Sequence, residues 1–297
     1  MADYTITHTT TYNYHYPVSV SYHVVHLEPM RLSYQQCRQF ELITDPGHQD
    51  YRQRVDYFGN TIGLFSIQEE HQKLHITSKS EVSVHLQAPD INAFPITCAE
   101  ASAYFETPAA PLDTIQYLFG SNRIPQDPDD AIRSYAKKIF TPNKPLLQAC
   151  ADLMQDIKTR FAFDAKATTI NTSVEDFFKL KRGVCQDFSH FAITALNAMA
   201  LPARYVSGYI LTNPPPGKPR LEGADASHAW VSVYVPEHGW VDFDPTNNIF
   251  CADQHVTVAY GRDFDDVSLV RGAVTGGRSH DLKVAVTMKP TAEAISG

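Results

Sequence analysis

The 297-residue chain lacks any run of about eighteen apolar residues, so no segment is predicted to span a membrane as a helix. Its amino terminus, MADYTITHTTTYNYHYPVSV, lacks a basic segment followed by an apolar core; no signal peptide is expected, and the cytoplasm is the expected compartment. Basic residues are in deficit. Lys and Arg number 25 against 33 Asp and Glu, a formal net charge of −8, which argues against nucleic acid or an anionic membrane as partner. Cysteine is scarce and odd in number: five residues, at 37, 98, 150, 185 and 251, with no CxxC pair. Neither a structural zinc site nor a disulfide framework is suggested. No Asp/Asn-rich loop has the spacing of a calcium-binding loop, and no cofactor motif is seen, so no metal and no cofactor are expected.

What is present has the profile of a globular protein, with 43% hydrophobic, 20% charged and 11% aromatic residues. The length suits two domains more naturally than one. The first ninety or so residues read as strands. KLHITSKSEVSVHLQ places Leu74, Ile76, Val82, Val84 and Leu86 at period two, HTTTYNYHYPVSVSYHVVHLEP is rich in Tyr, Thr and Val, and Gly59-Asn60 marks a turn. A β-sandwich over residues 1–95 is expected. From about Ala88 to Pro128 the chain shows no clear periodicity and reads as a connector.

Helical patterns follow. DPDDAIRSYAKKIF opens with acids and aligns Ile132, Tyr135, Ala136 and Ile139; PLLQACADLMQDIKTRF aligns Leu146, Leu147, Cys150, Leu153, Met154 and Ile157. Cys150 therefore belongs to a core stripe. TSVEDFFKLKRG offers Thr172 or Ser173 as an N-cap and Gly183 as a stop. A helix beginning at Cys185 buries Phe188, Phe191, Ala192, Ala195, Leu196 and Met199, and Pro202 closes it. The strands ARYVSGYIL, HAWVSVYV and GWVDFDP come next, the last two folded back at PEHG. Residues 96–297 are thus expected to form an α+β core domain with C-terminal strands.

Cys185 carries the chemical interest. A thiol is a nucleophile only as thiolate, and the unpaired N–H groups at a helix amino terminus favour that charge. An imidazole nearby would shuttle the proton, and a third group would fix its tautomer. Among thirteen histidines, His190 is nearest in sequence but lies five residues along the helix, about 140° around the axis from Cys185. His228 is better placed. The apolar faces Ala229-Val231-Val233-Val235 and Val241-Phe243 leave His228, Asp242 and Asp244 on the opposite side of neighbouring strands. On pattern alone, Cys-His-Asp catalysis, a structural role and zinc binding by the same trio all remain open.

Three ordered blocks resemble the transglutaminase-like superfamily, particularly bacterial members described as candidate cysteine proteases: GVCQDFSHF with LPARYVSGY, HAWVSVYVPEHGWVDFDPTNN, and DQHVTVAYGRDFDDVSLVRGAVTGG. YHVVHLEPMRLSYQQC and DYFGNTIGLFSI resemble the amino-terminal domain of those proteins. The resemblance implies a papain-like α+β core preceded by a β-sandwich. It puts the nucleophile at Cys185, the base at His228 and the orienting acid at Asp244, leaving Asp242 as a surface residue or a neighbour of the site. It also implies an acyl-enzyme on a peptide or amide substrate. The expected activity is thiol-dependent amide hydrolysis; acyl transfer to an amine and a non-catalytic binding role are the alternatives. Asp187 is expected to face away from the sulfur, toward Arg204, and Gln186 is either an oxyanion donor or an exposed helix residue. One departure bears on the alternatives: both tryptophans, Trp230 and Trp240, lie downstream of Cys185, so the upstream tryptophan donor of animal transglutaminases is missing.

Overall fold

The computed structural model describes residues 1–212 and 227–291. Strand β1 (Ala2–Val25) buries Tyr4, Ile6, His8 and Thr10 in alternation, as a sheet residue pattern with one inward face requires. Its pairing with β5 (His71–Val84) breaks between Asn13 and Val18, and there the long strand passes from one half of its sheet to the other. Before the break β1 lies between β5 and β14 (His280–Pro290); after it, between β4 (Thr61–Ile67) and β13 (Val270–Gly276). With β2 (Gln35–Asp45) and β3 (Gln49–Val55) the sheet has seven strands, in the order β2-β5-β1-β4-β3 with β13 and β14 on β1. Tyr14, Val18, Val25, Leu27, Phe65, Ile67, Leu74 and Ile76 of this region form one buried apolar cluster.

The last two strands, expected with the second domain, thus hydrogen-bond to the first sheet. The apolar core is also continuous across the chain: Tyr4, Ile6, Val82 and Val84 share one cluster with the helices and with Val286 and Met288. Polar ties reinforce it. Asn60, in the turn read from Gly59-Asn60, donates from Nδ2 to the Tyr260 carbonyl at 2.7 Å and accepts the Tyr260 N–H at 2.8 Å.

The segment read as a connector holds short helices, α1 (Cys98–Tyr104) and α2 (Leu112–Ile115). Their period is too short to show as an apolar stripe, although Thr97 and Glu100 form a capping box that marks the start of α1. Then come α3 (Asp130–Ile139), capped by Asp129, and α4 (Leu146–Arg160), which buries Cys150 as expected. Strand β6 (Ala162–Phe163) pairs in parallel with β7 (Arg182–Gly183), and α5 (Val174–Leu180) lies between them in sequence. Ser173 is its N-cap. The stop is Lys181 in the left-handed conformation (φ 57°), not Gly183.

Helix α6 (Cys185–Asn197) is buried along its whole length from Asp187 to Leu196. Its Phe191 packs against Phe161 and Phe177, the three ring centroids lying 5.2–6.0 Å apart, and a fully buried phenyl contributes about 1.5–3 kcal/mol. The helix lies against a five-stranded antiparallel sheet, ordered β11-β10-β9-β8-β12. Its members are β8 (Ala203–Ile210), β9 (Ser227–Val235), β10 (Gly239–Asp244), β11 (Ile249–Phe250) and β12 (His255–Gly261). The turn joining β9 to β10 uses Glu237 and Gly239, both at positive φ.

Candidate active site

Cys185 is the first residue of α6 and is half-buried, whereas the other four cysteines are buried. Gly183 stands two residues before it for reasons of space rather than of turning. A Cβ there would lie 2.5 Å from Oδ2 of Asp187 and 2.9 Å from the Phe177 ring. Asp187, expected to face Arg204, instead turns back under the Cys185 turn and is 5% exposed. Its Oδ2 accepts the Val184 N–H at 2.8 Å and the Thr168 hydroxyl at 2.7 Å. The first helical turn has N–H groups to satisfy, and a short acidic side chain three residues on is the nearest acceptor. Burial raises its carboxyl above the usual range despite these two bonds. Arg204 lies over Trp240 and Tyr260, at 4.2 and 3.5 Å from their ring centroids.

His228 sits near the start of β9, opposite Gly208 of β8. Its Nε2 donates to Oδ2 of Asp244 at 2.6 Å, and the Cys185 side chain is close enough to interact with its ring. With Nε2 engaged, Nδ1 is the nitrogen left for the sulfur. Asp244, at the end of β10, is wholly buried and surrounded by donors. Oδ1 accepts the N–H groups of Thr246 and Asn247 at 2.9 and 3.1 Å, and Oδ2 accepts the Asn247 amide at 2.6 Å. Burial would lower the His228 pKa, but the Asp244 charge and hydrogen bond and the contact with Cys185 raise it to about 10. Burial would raise Asp244, yet the His228 charge and the converging donors hold it well below the carboxylate range.

Residues 133–245 match the family described as the transglutaminase-like superfamily, and residues 4–83 match the bacterial transglutaminase-like N-terminal region. An uncharacterized protein of Mycobacterium tuberculosis is 36% identical over 294 residues, spanning 97% of this chain and 92% of its own. This chain belongs to the transglutaminase-like superfamily. A second relative, the protein-glutamine gamma-glutamyltransferase of Pseudomonas aeruginosa, is 34% identical over 92 residues, which is 30% of this chain and 14% of that protein. Among solved structures, a Cytophaga hutchinsonii protein described as a candidate cysteine protease superposes with a TM-score of 0.77 at 20% identity. That match covers 97% of this chain and 90% of that one, and it shows the shared fold.

The transglutaminase-like core brings Cys185, His228 and Asp244 together and keeps His190 apart. His190 is buried, accepts the Phe264 N–H at Nε2 (3.1 Å), and is pushed down to about 3 by burial and by the Arg123 charge. Asp242 accepts the indole N–H of Trp230 at 3.1 Å, and Trp230 is wholly buried. Gln186 is half-buried in the first turn. Two neighbours of the site were not legible in the sequence. His255, buried on β12, places Nε2 3.5 Å from Oδ2 of Asp244 and its ring edge-on to Trp230 at 5.2 Å. Asn247 lies in the turn after β10, where the chain doubles back toward Asp244. Neither carries a sequence signal; one is a histidine among thirteen and the other a turn asparagine. Among the described residues no group of three or more His, Cys, Asp or Glu side chains has a metal-binding arrangement.

Proposed function

We propose that this protein is a thiol-dependent amide hydrolase, in which Cys185 is the nucleophile, His228 the acid and base, and Asp244 the group that orients the imidazole. The observation that carries this reading is the chain of contacts from the Cys185 thiol through His228 to a wholly buried Asp244. The imidazole of His228, held by Asp244, takes the proton of the Cys185 thiol as the sulfur attacks. The thiolate adds to an amide carbonyl carbon, and the resulting oxyanion expels the amine as the C–N bond breaks. His228 gives its proton to the leaving nitrogen. Neutral His228 then takes a proton from water, which attacks the thioester, releases the carboxylic acid and restores the thiol.

A second reading is acyl transfer, in which a primary amine takes the place of water. The Pseudomonas aeruginosa gamma-glutamyltransferase that matches over 92 residues favours it. Both share every step up to the thioester, so product partition separates them. With a peptide-amide or glutamine substrate and a millimolar primary amine, the free acid is expected as the main product, because no tryptophan precedes Cys185 to supply the donor used by animal transglutaminases. A predominance of the amine adduct would replace hydrolysis by transfer. Loss of neither product in a Cys185→Ala variant would remove Cys185 from both schemes. All five thiols are free, which supports a reducing compartment, and we place the protein in the cytoplasm; cell fractionation tests that assignment.

A further inference from the structure

The turn that carries Cys185 is held by a buried acid that the hydrolytic scheme does not use. Asp187 is 5% exposed, and no cation is paired with it among the described residues. Its Oδ2 ties the Val184 N–H of its own turn to the hydroxyl of Thr168, nineteen residues earlier in the loop between β6 and α5. That loop is fastened at both sides of Thr168. The Asp164 N–H donates to the Gly183 carbonyl at 2.8 Å, and the Arg123 guanidinium, paired with Asp265 at 2.9 Å, donates to the Ile170 carbonyl. The absent Cβ of Gly183 leaves the room that the Asp187 carboxylate occupies.

The N–H groups of this turn divide in a definite way. Val184 donates to Asp187, while Asp187 and Phe188 both donate to the Val184 carbonyl, at 2.9 and 3.2 Å. Cys185 and Gln186 have no main-chain acceptor among the described residues. Without the carboxylate, the Val184 N–H would compete for whatever acceptor entered the turn, and the turn would lose its tie to the loop. We propose that Asp187 and Thr168 are positioning residues: their buried clamp fixes the turn so that the free N–H groups of Cys185 and Gln186 point at the carbonyl oxygen of the acyl group. The inference rests on Cys185 being the nucleophile of the hydrolytic reading.

Two reagents separate the clamp from mere folding. Iodoacetamide alkylates a thiolate by displacement at a saturated carbon and develops no oxyanion, whereas p-nitrophenyl acetate acylates through one. The Thr168→Val variant keeps the side-chain shape and removes the hydroxyl; Asp187→Asn keeps an acceptor and changes the donor count. For Thr168→Val the acylation rate of Cys185, read from the p-nitrophenolate burst, is expected to fall on the order of tenfold or more, because misplacing such donors is costly to an oxyanion. Alkylation is expected to stay within about twofold. Asp187→Asn is expected to change the same ratio in the same direction. Unchanged ratios in both variants overturn the proposal, and so does an equal fall in both rates, which marks a structural role only. Failure of the wild-type protein to acylate at Cys185 is visible before any variant is compared, and overturns the nucleophile reading and this inference together.

Discussion

His228 Nε2 lies 2.6 Å from Oδ2 of Asp244, with the two side chains 9% and 0% exposed. Such a pair, out of water and short, is stable only because the acid has further donors. Thr246, Asn247 and His255 supply them, so the carboxylate is satisfied on both oxygens.

Removing the acid should therefore cost both fold and function. Asp244→Ala leaves a buried imidazole and several donors unpaired, and is expected to lower stability by about 3–5 kcal/mol in urea unfolding. Asp244→Asn is expected to fold better yet lose activity by a factor on the order of 10² or more, because the imidazole loses its fixed tautomer. Wild-type turnover in a folded Asp244→Asn protein would detach Asp244 from the chemistry.

The thiols should differ sharply in reactivity. Burial pushes Cys37 and Cys98 each up to about 11 and Cys150 and Cys251 well above the thiol range. Cys185 is half-buried at a helix amino terminus beside a cationic imidazole. Iodoacetamide near pH 6 should label it first, and His228→Ala should slow that labelling. Mass spectrometry showing several cysteines alkylated at one rate would contradict the assignment.

Stability should depend on pH through the same pair. His228 is raised from 6.5 to about 10 in the fold, so its contribution is complete below about 6.5 and is lost as pH rises through about 10. Asp244 is lowered from 3.8, so its contribution is complete above that value and is lost on strong acidification. Between about pH 7 and about pH 10, wild type should lose more unfolding free energy than a His228→Gln variant. Parallel pH slopes for the two proteins would mean that the imidazole is not held as a cation.

Gly208 offers a test of the sheet beneath the site. A Cβ there would lie 2.1 Å from the Val256 carbonyl oxygen and 2.5 Å from the Trp230 ring. Gly208→Ala is expected to destabilise by about 3 kcal/mol or more, and to disturb His228, its partner across β9. A stable, fully active variant would show that this sheet gives way more easily than its packing implies.

The α+β class, helices α3 to α6 and strands β1, β5, β8, β9 and β10 were legible because their segments carry an apolar period or a strand-forming composition. The short helices between Cys98 and Ile115 were not, since a stripe needs more residues than they have. The Gly183 stop failed because Lys181 takes the left-handed position and stacks its ammonium over Phe178, 3.1 Å from the ring centroid. Asp187 was misdirected because charge alone suggested Arg204, whereas the nearest unpaired donor was the Val184 N–H three residues back.

By itself the sequence determined the period of each element, the cysteine at the mouth of a helix, and the side of β9 and β10 on which His228 and Asp244 project. Those follow from local geometry, in which the chain's own repeat decides which way a side chain points. Only the tertiary structure decided the register that joins His228 to Asp244, the donors from Asn247 and His255 that let the acid be buried, and the pairing of β13 and β14 with β1. These are contacts between residues distant in sequence. Their energies depend on which groups lose water together, and no local pattern encodes that.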